Sequence, residues 1–179
     1  MPCQGSPPTV PLDNSRYDDY ISTVGGKLQK ELRQTKPFAS REEEVHLNIL
    51  RTAELLSWGV SETLKQADLT PTQYNALRIL RGAGREGVSC SQISERMVTK
   101  DSDVTRLLDR LEARGLILRS RETKDRRVIT AQITEDGLRV LAELEKPILE
   151  CHRRQLGHMG EKRLATLNKL LEDVRDSKR

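Results

Sequence analysis

Apolar residues recur every three or four positions along most of the chain, which is the spacing of one face of an α-helix. The first such stretch begins at Tyr17, and we expect Pro37 to end it. A hydroxyl at Ser40 followed by a carboxylate at Glu43 forms a capping box, which predicts a long helix through about residue 66. The apolar side of this helix is so extensive that we expect it to pack on more than its own lobe. It consists of Val45, Ile49, Ala53, Leu56, Val60 and Leu64.

The middle of the chain holds three shorter helical patterns with distinct start signals. Thr70-Pro-Thr-Gln73 and Ser89-Cys-Ser-Gln92 each combine a hydroxyl at the N-cap with a glutamine three residues later. The third pattern runs over 102–114, and Gly115 follows where a left-handed C-cap is needed. Its predicted buried stripe is Val104, Leu107, Leu108 and Leu111.

A polar segment separates two short stretches of strand-forming residues. Leu116-Ile-Leu118 and Val128-Ile-Thr-Ala-Gln-Ile133 predict the strands of a hairpin, or wing. Helical spacing resumes at Thr134, with Pro147 expected to bend that helix, and a last helix is predicted from Gly160. The predicted fold is therefore mainly α with a small β-wing, in the order of a winged helix-turn-helix flanked by N- and C-terminal helices.

Composition narrows the class of protein. Hydrophobic residues make up 35% and charged residues 32%, and no apolar run reaches the roughly 18 residues of a membrane span. Residues 1–14 hold four of the seven prolines, which predicts a flexible arm, and they lack the pattern of a secretory signal. We therefore expect a cytoplasmic protein without membrane contact.

Three well-separated cysteines argue against disulfide or zinc chemistry. Cys151, His152 and His158 lack the spacing of metal ligands and an orienting carboxylate. We predict no catalytic residues, no metal and no cofactor, and hence no enzyme.

Charge points to an anionic partner. The net charge is +4, and residues 114–127 contain six basic and two acidic side chains. Aromatic residues make up only 3% of the chain, which disfavours proteins that stack single-stranded bases. Double-stranded DNA is the better prediction.

Three sequence segments together carry a family resemblance. The run from Thr105 to Ile117, then Asp125-Arg-Arg127, then Ile133-Thr-Glu-Asp-Gly137, resembles the MarR family of bacterial transcriptional regulators over residues 42–175. The resemblance implies a homodimer in which each subunit presents a winged helix-turn-helix to half of a pseudo-palindromic operator. Together with the element pattern, the resemblance predicts four parts, namely an arm at 1–14, N-terminal dimerisation helices at 15–66, a DNA-binding lobe at 67–134 and C-terminal dimerisation helices at 135–179.

Residue chemistry suits these roles. Arginines at 106 and 110 can pair with guanine in a major groove, and a wing arginine can enter a narrow minor groove. In the family's wing, the acid corresponding to Asp125 braces the arginine corresponding to Arg127. Asp103 has three candidate roles, accepting from cytosine, capping its helix, or weakening non-specific binding. The predicted DNA-binding residues are Ser89, Ser91, Gln92, Ser102, Asp103, Thr105, Arg106, Arg110, Arg121, Lys124, Asp125, Arg126 and Arg127.

Two of the arginines have an alternative. Arg110 and Arg114 either contact DNA or pair on the surface with Asp109 or Glu112.

The resemblance further implies a repressor that is relieved by a small aromatic or phenolic effector. The implied pocket residues are His46, Trp58, Tyr74 and Arg78, and Trp58 suits a core or dimer contact equally well. The alternatives are a winged-helix protein-protein interaction module and a redox regulator based on Cys90. Redox-sensing members carry a cysteine in the first core helix, and this chain has none between Glu42 and Gln66.

Overall fold

The computed structural model describes residues 26–99, 103–121 and 129–176. Its residues form two compact units with the boundary between Thr52 and Ala53. The first unit contains helix α1 (Lys27–Glu31) and the beginning of α2 (Arg41–Leu64). Helix α1 ends before Pro37, because Arg33 adopts a left-handed φ of 51° that an α-helix cannot contain. The expected end at Pro37 is therefore wrong.

The start of α2 follows its predicted signal. The hydroxyl of Ser40 accepts a hydrogen bond from the backbone N–H of Glu43 at 3.2 Å. The carboxylate of Glu43 accepts from the N–H of Ala39 at 2.6 Å, one residue before the expected position. These two bonds satisfy backbone donors that the first turn of a helix leaves without a partner.

The second unit contains the remaining helices and a small sheet. Both predicted capping boxes are present, at Thr70 with Gln73 and at Ser89 with Gln92. The elements in chain order are α3 (Pro71–Ala83), β1 (Val88–Ser89), α4 (Cys90–Arg96), α5 (Val104–Ala113), β2 (Ile117–Arg121), β3 (Ile129–Ile133), α6 (Glu135–Leu156) and α7 (Gly160–Asp176).

The strands pair antiparallel in the order β1-β3-β2. Ile117 lies opposite Ile133, and Val88 of the unpredicted strand β1 lies opposite Ala131. Strand β2 begins at 117 and not at Leu116, because the N–H of Leu116 still bonds to the carbonyl of Leu111 at the end of α5. The left-handed φ of 69° at Gly115 makes this helix ending possible, as its predicted C-cap role requires.

One hydrophobic core fixes the orientation of α5. The predicted stripe is buried, and Leu108 and Leu111 are fully inaccessible to solvent. Leucines and isoleucines from every other helix of the second unit except α7 join them, together with Ile117 of β2. The other fully buried large side chains include Leu64, Leu77, Leu80, Ile93, Leu141 and Leu144.

Helix α6 begins where the wing ends. The hydroxyl of Thr134 accepts from the N–H of Gly137 at 3.1 Å and donates to the carbonyl of Gly115 at 2.7 Å. The helix continues across Pro147 as far as Leu156. Within the described ranges, no helix is long and apolar enough to cross a membrane.

Gly137 provides a test of this packing. A Cβ at residue 137 would meet the carbonyl oxygen of Leu116 and lie 2.7 Å from Cγ1 of Ile133. We expect Gly137→Ala to lower the free energy of unfolding in urea by about 1–3 kcal/mol, the usual cost of overpacking.

Gly82→Ala is the matched control, because nothing lies within 4 Å of its Cβ position and α3 is already helical there. It should leave the free energy of unfolding unchanged or raise it by up to about 1 kcal/mol. Equal effects of the two substitutions would contradict the close packing of α6 against the wing.

Candidate nucleic-acid interface

Helix α5 has one apolar and one polar face. Its buried stripe packs into the core, while Thr105, Arg106, Asp109 and Arg110 are exposed. Residues three and four positions apart share a helix face, so Arg106 and Arg110 project together from the side opposite the core. The predicted start of this helix is corrected, because its first residue is Val104 and Asp103 is the N-cap. Ser102 lies outside the described residues.

Both carboxylate oxygens of Asp103 contact Arg106. Its Oδ1 accepts from the backbone N–H of Arg106 at 3.0 Å, which caps the helix. Its Oδ2 lies 3.0 Å from Nε of the Arg106 side chain. Of the three candidate roles for Asp103, the structure shows the capping role, and it adds an ion pair that the sequence did not predict.

The other two arginines of α5 differ in their surroundings. Arg110 is exposed and forms no ion pair with any residue that the structure describes. Arg114 instead donates to the carbonyl oxygens of Ala67 and Asp68, the latter bond being short and the former 2.9 Å. The alternative in which these arginines pair with Asp109 or Glu112 is therefore wrong. Arg114 ties the end of α5 to the chain that follows α2.

Asp109 and Glu112 are both paired with Arg119, at the base of the wing. Arg119 Nη2 lies 2.6 Å from Asp109 Oδ1 and 2.7 Å from Glu112 Oε2. Arg119 Nε donates to Glu112 Oε2 at 2.8 Å, and the backbone N–H of Arg119 donates to Glu112 Oε1 at 3.1 Å. Four contacts thus hold β2 against α5.

Protonation states at this contact follow from its geometry. The hydrogen bond from Arg119 lowers the pKa of the Glu112 carboxyl below its ordinary value, and the same bond raises the pKa of Arg119. Because the pKa of the Glu112 carboxyl is depressed in the folded protein, its pairing with Arg119 stabilises the fold fully above the ordinary carboxyl pKa. This stabilisation is lost as the pH falls through the lowered pKa of Glu112. The contact is therefore fully charged at neutral pH.

Two of the predicted phosphate-binding residues, Ser89 and Gln92, form the capping box of α4. Ser89 Oγ accepts from the N–H of Gln92 at 3.3 Å, and Gln92 Oε1 accepts from the N–H of Ser89 at 3.1 Å. The hydroxyls of Ser89 and Ser91 lie 3.0 Å apart. Ser91 and Gln92 are exposed beside the start of α4.

The rest of the predicted wing is only partly described. Arg121 is the last residue of β2. Lys124, Asp125, Arg126 and Arg127 lie outside the described residues. At the base of the wing, Ser120 and Thr130 stand opposite each other, and their hydroxyls lie 3.2 Å apart.

A groove of about 620 Å³ lies between the second half of α2 and the end of α6. Gly59 permits the close approach of these helices, because a Cβ there would overlap the Gln155 side chain and lie 3.5 Å from Cys151 Sγ. Gln155 Nε2 donates to the carbonyl of Leu56 at 3.1 Å. The groove is lined by Leu55, Trp58, Gly59, Glu62, Thr63, Cys151, Arg154 and Gln155.

Of the four predicted effector residues, all of which the structure describes, Trp58 is the one that lines this groove. Trp58 lines the groove and is 65% exposed. Tyr74 and Arg78 do not line it and instead contact each other on α3, with the guanidinium 5.8 Å from the ring centre. His46 is exposed on the part of α2 that belongs to the first unit. Sequence reasoning missed Arg154 and Gln155, and the helical Gly59 was the available signal.

Other reactive side chains form no cluster in the part of the chain that the structure describes. No group of three histidine, cysteine or acidic residues there could hold a metal ion. Cys151 is buried and Cys90 is half-buried beside the core, and neither forms a disulfide. His152 and His158 are exposed.

Known proteins are similar to this chain in sequence and in fold. The MarR family description matches residues 69–129. The chain is 35% identical over 94 residues to the HTH-type transcriptional repressor MdtR of Bacillus subtilis (strain 168), which is 52% of this chain and 59% of MdtR. It therefore spans less than two thirds of that relative. It is 30% identical over 116 residues to the HTH-type transcriptional repressor IacR of Pseudomonas putida, which is 65% of this chain and 68% of IacR.

Solved structures agree. A MarR transcription factor from Planctomyces limnophilus is 41% identical, with a TM-score of 0.60 over 75% of this chain and 98% of that one. A mutant MarR from E. coli complexed with operator DNA has a TM-score of 0.68 at 21% identity, covering 73% and 93% of the two chains.

Bordetella bronchiseptica BpsR, described as regulated in its DNA binding by 6-hydroxynicotinic acid, has a TM-score of 0.69 at 23% identity, covering 79% and 99%. Because their sequence identity is below 25%, the E. coli and Bordetella structures show similarity of fold alone. The small sheet, the mainly helical lobe and the relatives in sequence agree: the chain belongs to the MarR family of transcriptional regulators.

Proposed function

We propose that the protein is a ligand-responsive repressor that binds a pseudo-palindromic operator as a homodimer. The observation that carries this proposal is the outer face of α5, where Arg106 and Arg110 project from a helix whose other face is locked into the core. The relatives MdtR and IacR, both named repressors, support the direction of regulation.

The recognition chemistry follows from the side chains of α5, which we name the recognition helix. Arginine can form two parallel hydrogen bonds to O6 and N7 of guanine in the major groove, and Thr105 can donate to a phosphate. The capped start of α4 offers Ser91 and backbone N–H groups to the phosphate backbone. In this proposal the basic segment between β2 and β3 adds contacts in the minor groove.

A second copy of the chain would cover apolar side chains that one subunit leaves in water. On the second unit these are Leu149 of α6, and Leu170 and Val174 of α7. The first unit adds Val45, Ile49 and Leu50. We propose that residues 15–66 and 135–179 form the dimer interface, and that residues 67–134 bind DNA.

The groove beside Trp58 is the proposed effector site. It offers an indole ring and the apolar Leu55 to an aromatic ring, and the guanidinium of Arg154 to an acidic group. Two recognition helices can occupy successive major grooves only when they stand about one DNA turn, roughly 34 Å, apart. A ligand that favours another spacing between them would release the operator.

The DNA-binding proposal predicts selective, salt-sensitive binding. In fluorescence anisotropy, a duplex from the intergenic region beside the gene should bind more tightly than a scrambled duplex, with affinity falling steeply as salt rises. Arg110→Gln should lower the specific affinity about tenfold or more, because an arginine–guanine pair contributes about 1–3 kcal/mol.

Arg175→Gln on α7 is the matched control, since it removes the same charge from an exposed helix position outside residues 67–134. Equal affinity for both duplexes would contradict the proposal and favour a protein interaction module. An equal loss in the two variants would contradict the role of the recognition helix.

The dimer proposal predicts a particle of twice the chain mass in light scattering coupled to gel filtration. Leu170→Glu with Val174→Glu should shift the mass towards the monomer, because an interface cannot bury two unpaired charges without a large cost. Ala165→Glu with Asn168→Glu adds the same charge to α7 at exposed positions that do not share the face of Leu170 and Val174, and it should leave the dimer intact. A monomer in the unmodified protein would refute the proposal.

The effector proposal can be followed through Trp58, the single tryptophan of the chain. Titration with 6-hydroxynicotinic acid or benzoic acid should change its fluorescence in a saturable way and release the duplex. Arg154→Gln should weaken binding about tenfold, because it removes a charge-assisted hydrogen bond.

Arg153→Gln, an exposed neighbour that does not line the groove, should bind the acids like the unmodified protein. Unchanged fluorescence at saturating acid, or equal weakening in both variants, would exclude this groove as a site for aromatic acids.

A further inference from the structure

The ion pair at the start of the recognition helix joins two groups with different tasks. Asp103 Oδ1 is committed to the backbone N–H of Arg106, and this bond fixes the position of the carboxylate. Asp103 Oδ2 lies 3.0 Å from Arg106 Nε. Because the carboxylate is fixed, this ion pair holds the guanidinium in a defined position relative to the helix. The Arg106 side chain is 79% exposed, so the bond orients a side chain that solvent would otherwise leave free to rotate.

The bond leaves the terminal edge of the guanidinium available. Arginine carries five N–H donors, and Asp103 engages the one on Nε. The structure gives Nη1 and Nη2 of Arg106 no bond to any residue that it describes. These terminal nitrogens are donors of the kind that pair with guanine O6 and N7.

We propose that Asp103 is a specificity-determining residue, which orients Arg106 towards a guanine of the operator. The inference rests on the proposed function, since it needs a duplex in contact with the recognition helix. Binding would otherwise have to restrict the rotamers of a long side chain, and the ion pair restricts them beforehand.

The negative charge of Asp103 has an opposite effect on non-specific binding. A carboxylate near the phosphate backbone repels every duplex, whatever its sequence. Asp103 therefore lowers affinity for all DNA while it raises the preference for guanine at one position. A residue that only capped the helix would not influence that preference.

Asparagine separates the two roles. Asn caps helices as well as Asp does, but it carries no charge to hold a guanidinium. Asp103→Asn should therefore preserve the fold, with an unchanged midpoint of thermal unfolding. Asp103→Ala loses the cap as well, so its lower midpoint would show that the cap contributes to stability.

The experiment uses the full chain and a set of intergenic duplexes in which each base pair is replaced singly. Arg106→Gln first identifies the guanine that Arg106 contacts, as the position where replacement no longer lowers affinity. In the unmodified protein that replacement should weaken binding about 5- to 150-fold, the range of one bidentate contact. Asp103→Asn should reduce this penalty at least threefold, leave the penalties at other positions unchanged, and bind scrambled duplex more tightly.

A full penalty at the Arg106 position in Asp103→Asn would overturn the inference while leaving the proposed function intact. Absence of any position that depends on Arg106 would overturn it too. Equal binding of the intergenic and scrambled duplexes by the unmodified protein would instead reject the proposed function itself, together with this inference.

Discussion

Arg119 fixes the wing to the recognition helix, and the shape of the candidate DNA-binding surface depends on this contact. Its guanidinium bonds to Asp109 and Glu112, while its backbone N–H bonds to the same Glu112 carboxylate. One residue thus holds β2 beside α5 through both its side chain and its backbone. The leucine stripe beneath α5 sets the orientation of the helix, and Arg119 sets the wing relative to it.

The same contact reduces the negative charge on the outer side of the helix that we propose to bind DNA. Asp109 and Glu112 would repel phosphate if they were free, but Arg119 pairs with both carboxylates and its single positive charge offsets half of their combined charge. Asp103 is likewise paired with Arg106. Arg114 is turned inward to the carbonyl groups of Ala67 and Asp68. The positive charge on the outer face of α5 therefore comes largely from Arg106 and Arg110. Arg110 is exposed and has no ion pair with a described residue.

Sequence predicted the features that are local. The capping boxes at Thr70 and Ser89, the buried stripe of α5 and the left-handed Gly115 all depend on residues within one or two helical turns. Features that need distant segments were missed. Strand β1 has two residues and exists only because β3 lies beside it. The partners of Arg119 lie seven and ten residues away, and only the turn after α5 brings them together.

The groove, too, is formed by segments that lie far apart in the sequence. Trp58 was predicted as a pocket residue, yet three of its neighbours in the groove come from α6, about a hundred residues along the chain. Only the packing of α2 on α6 at Gly59 reveals Arg154 and Gln155 as lining residues. Tyr74 and Arg78, predicted beside Trp58, instead contact each other on α3.

Protection of guanine N7 from methylation by dimethyl sulfate tests the central claim most directly, because this atom lies in the major groove where the recognition helix is proposed to bind. On the intergenic duplex, the account predicts protected guanines in two clusters about one helical turn, roughly 10 base pairs, apart. A bound duplex whose guanine N7 atoms all remain reactive would contradict the account.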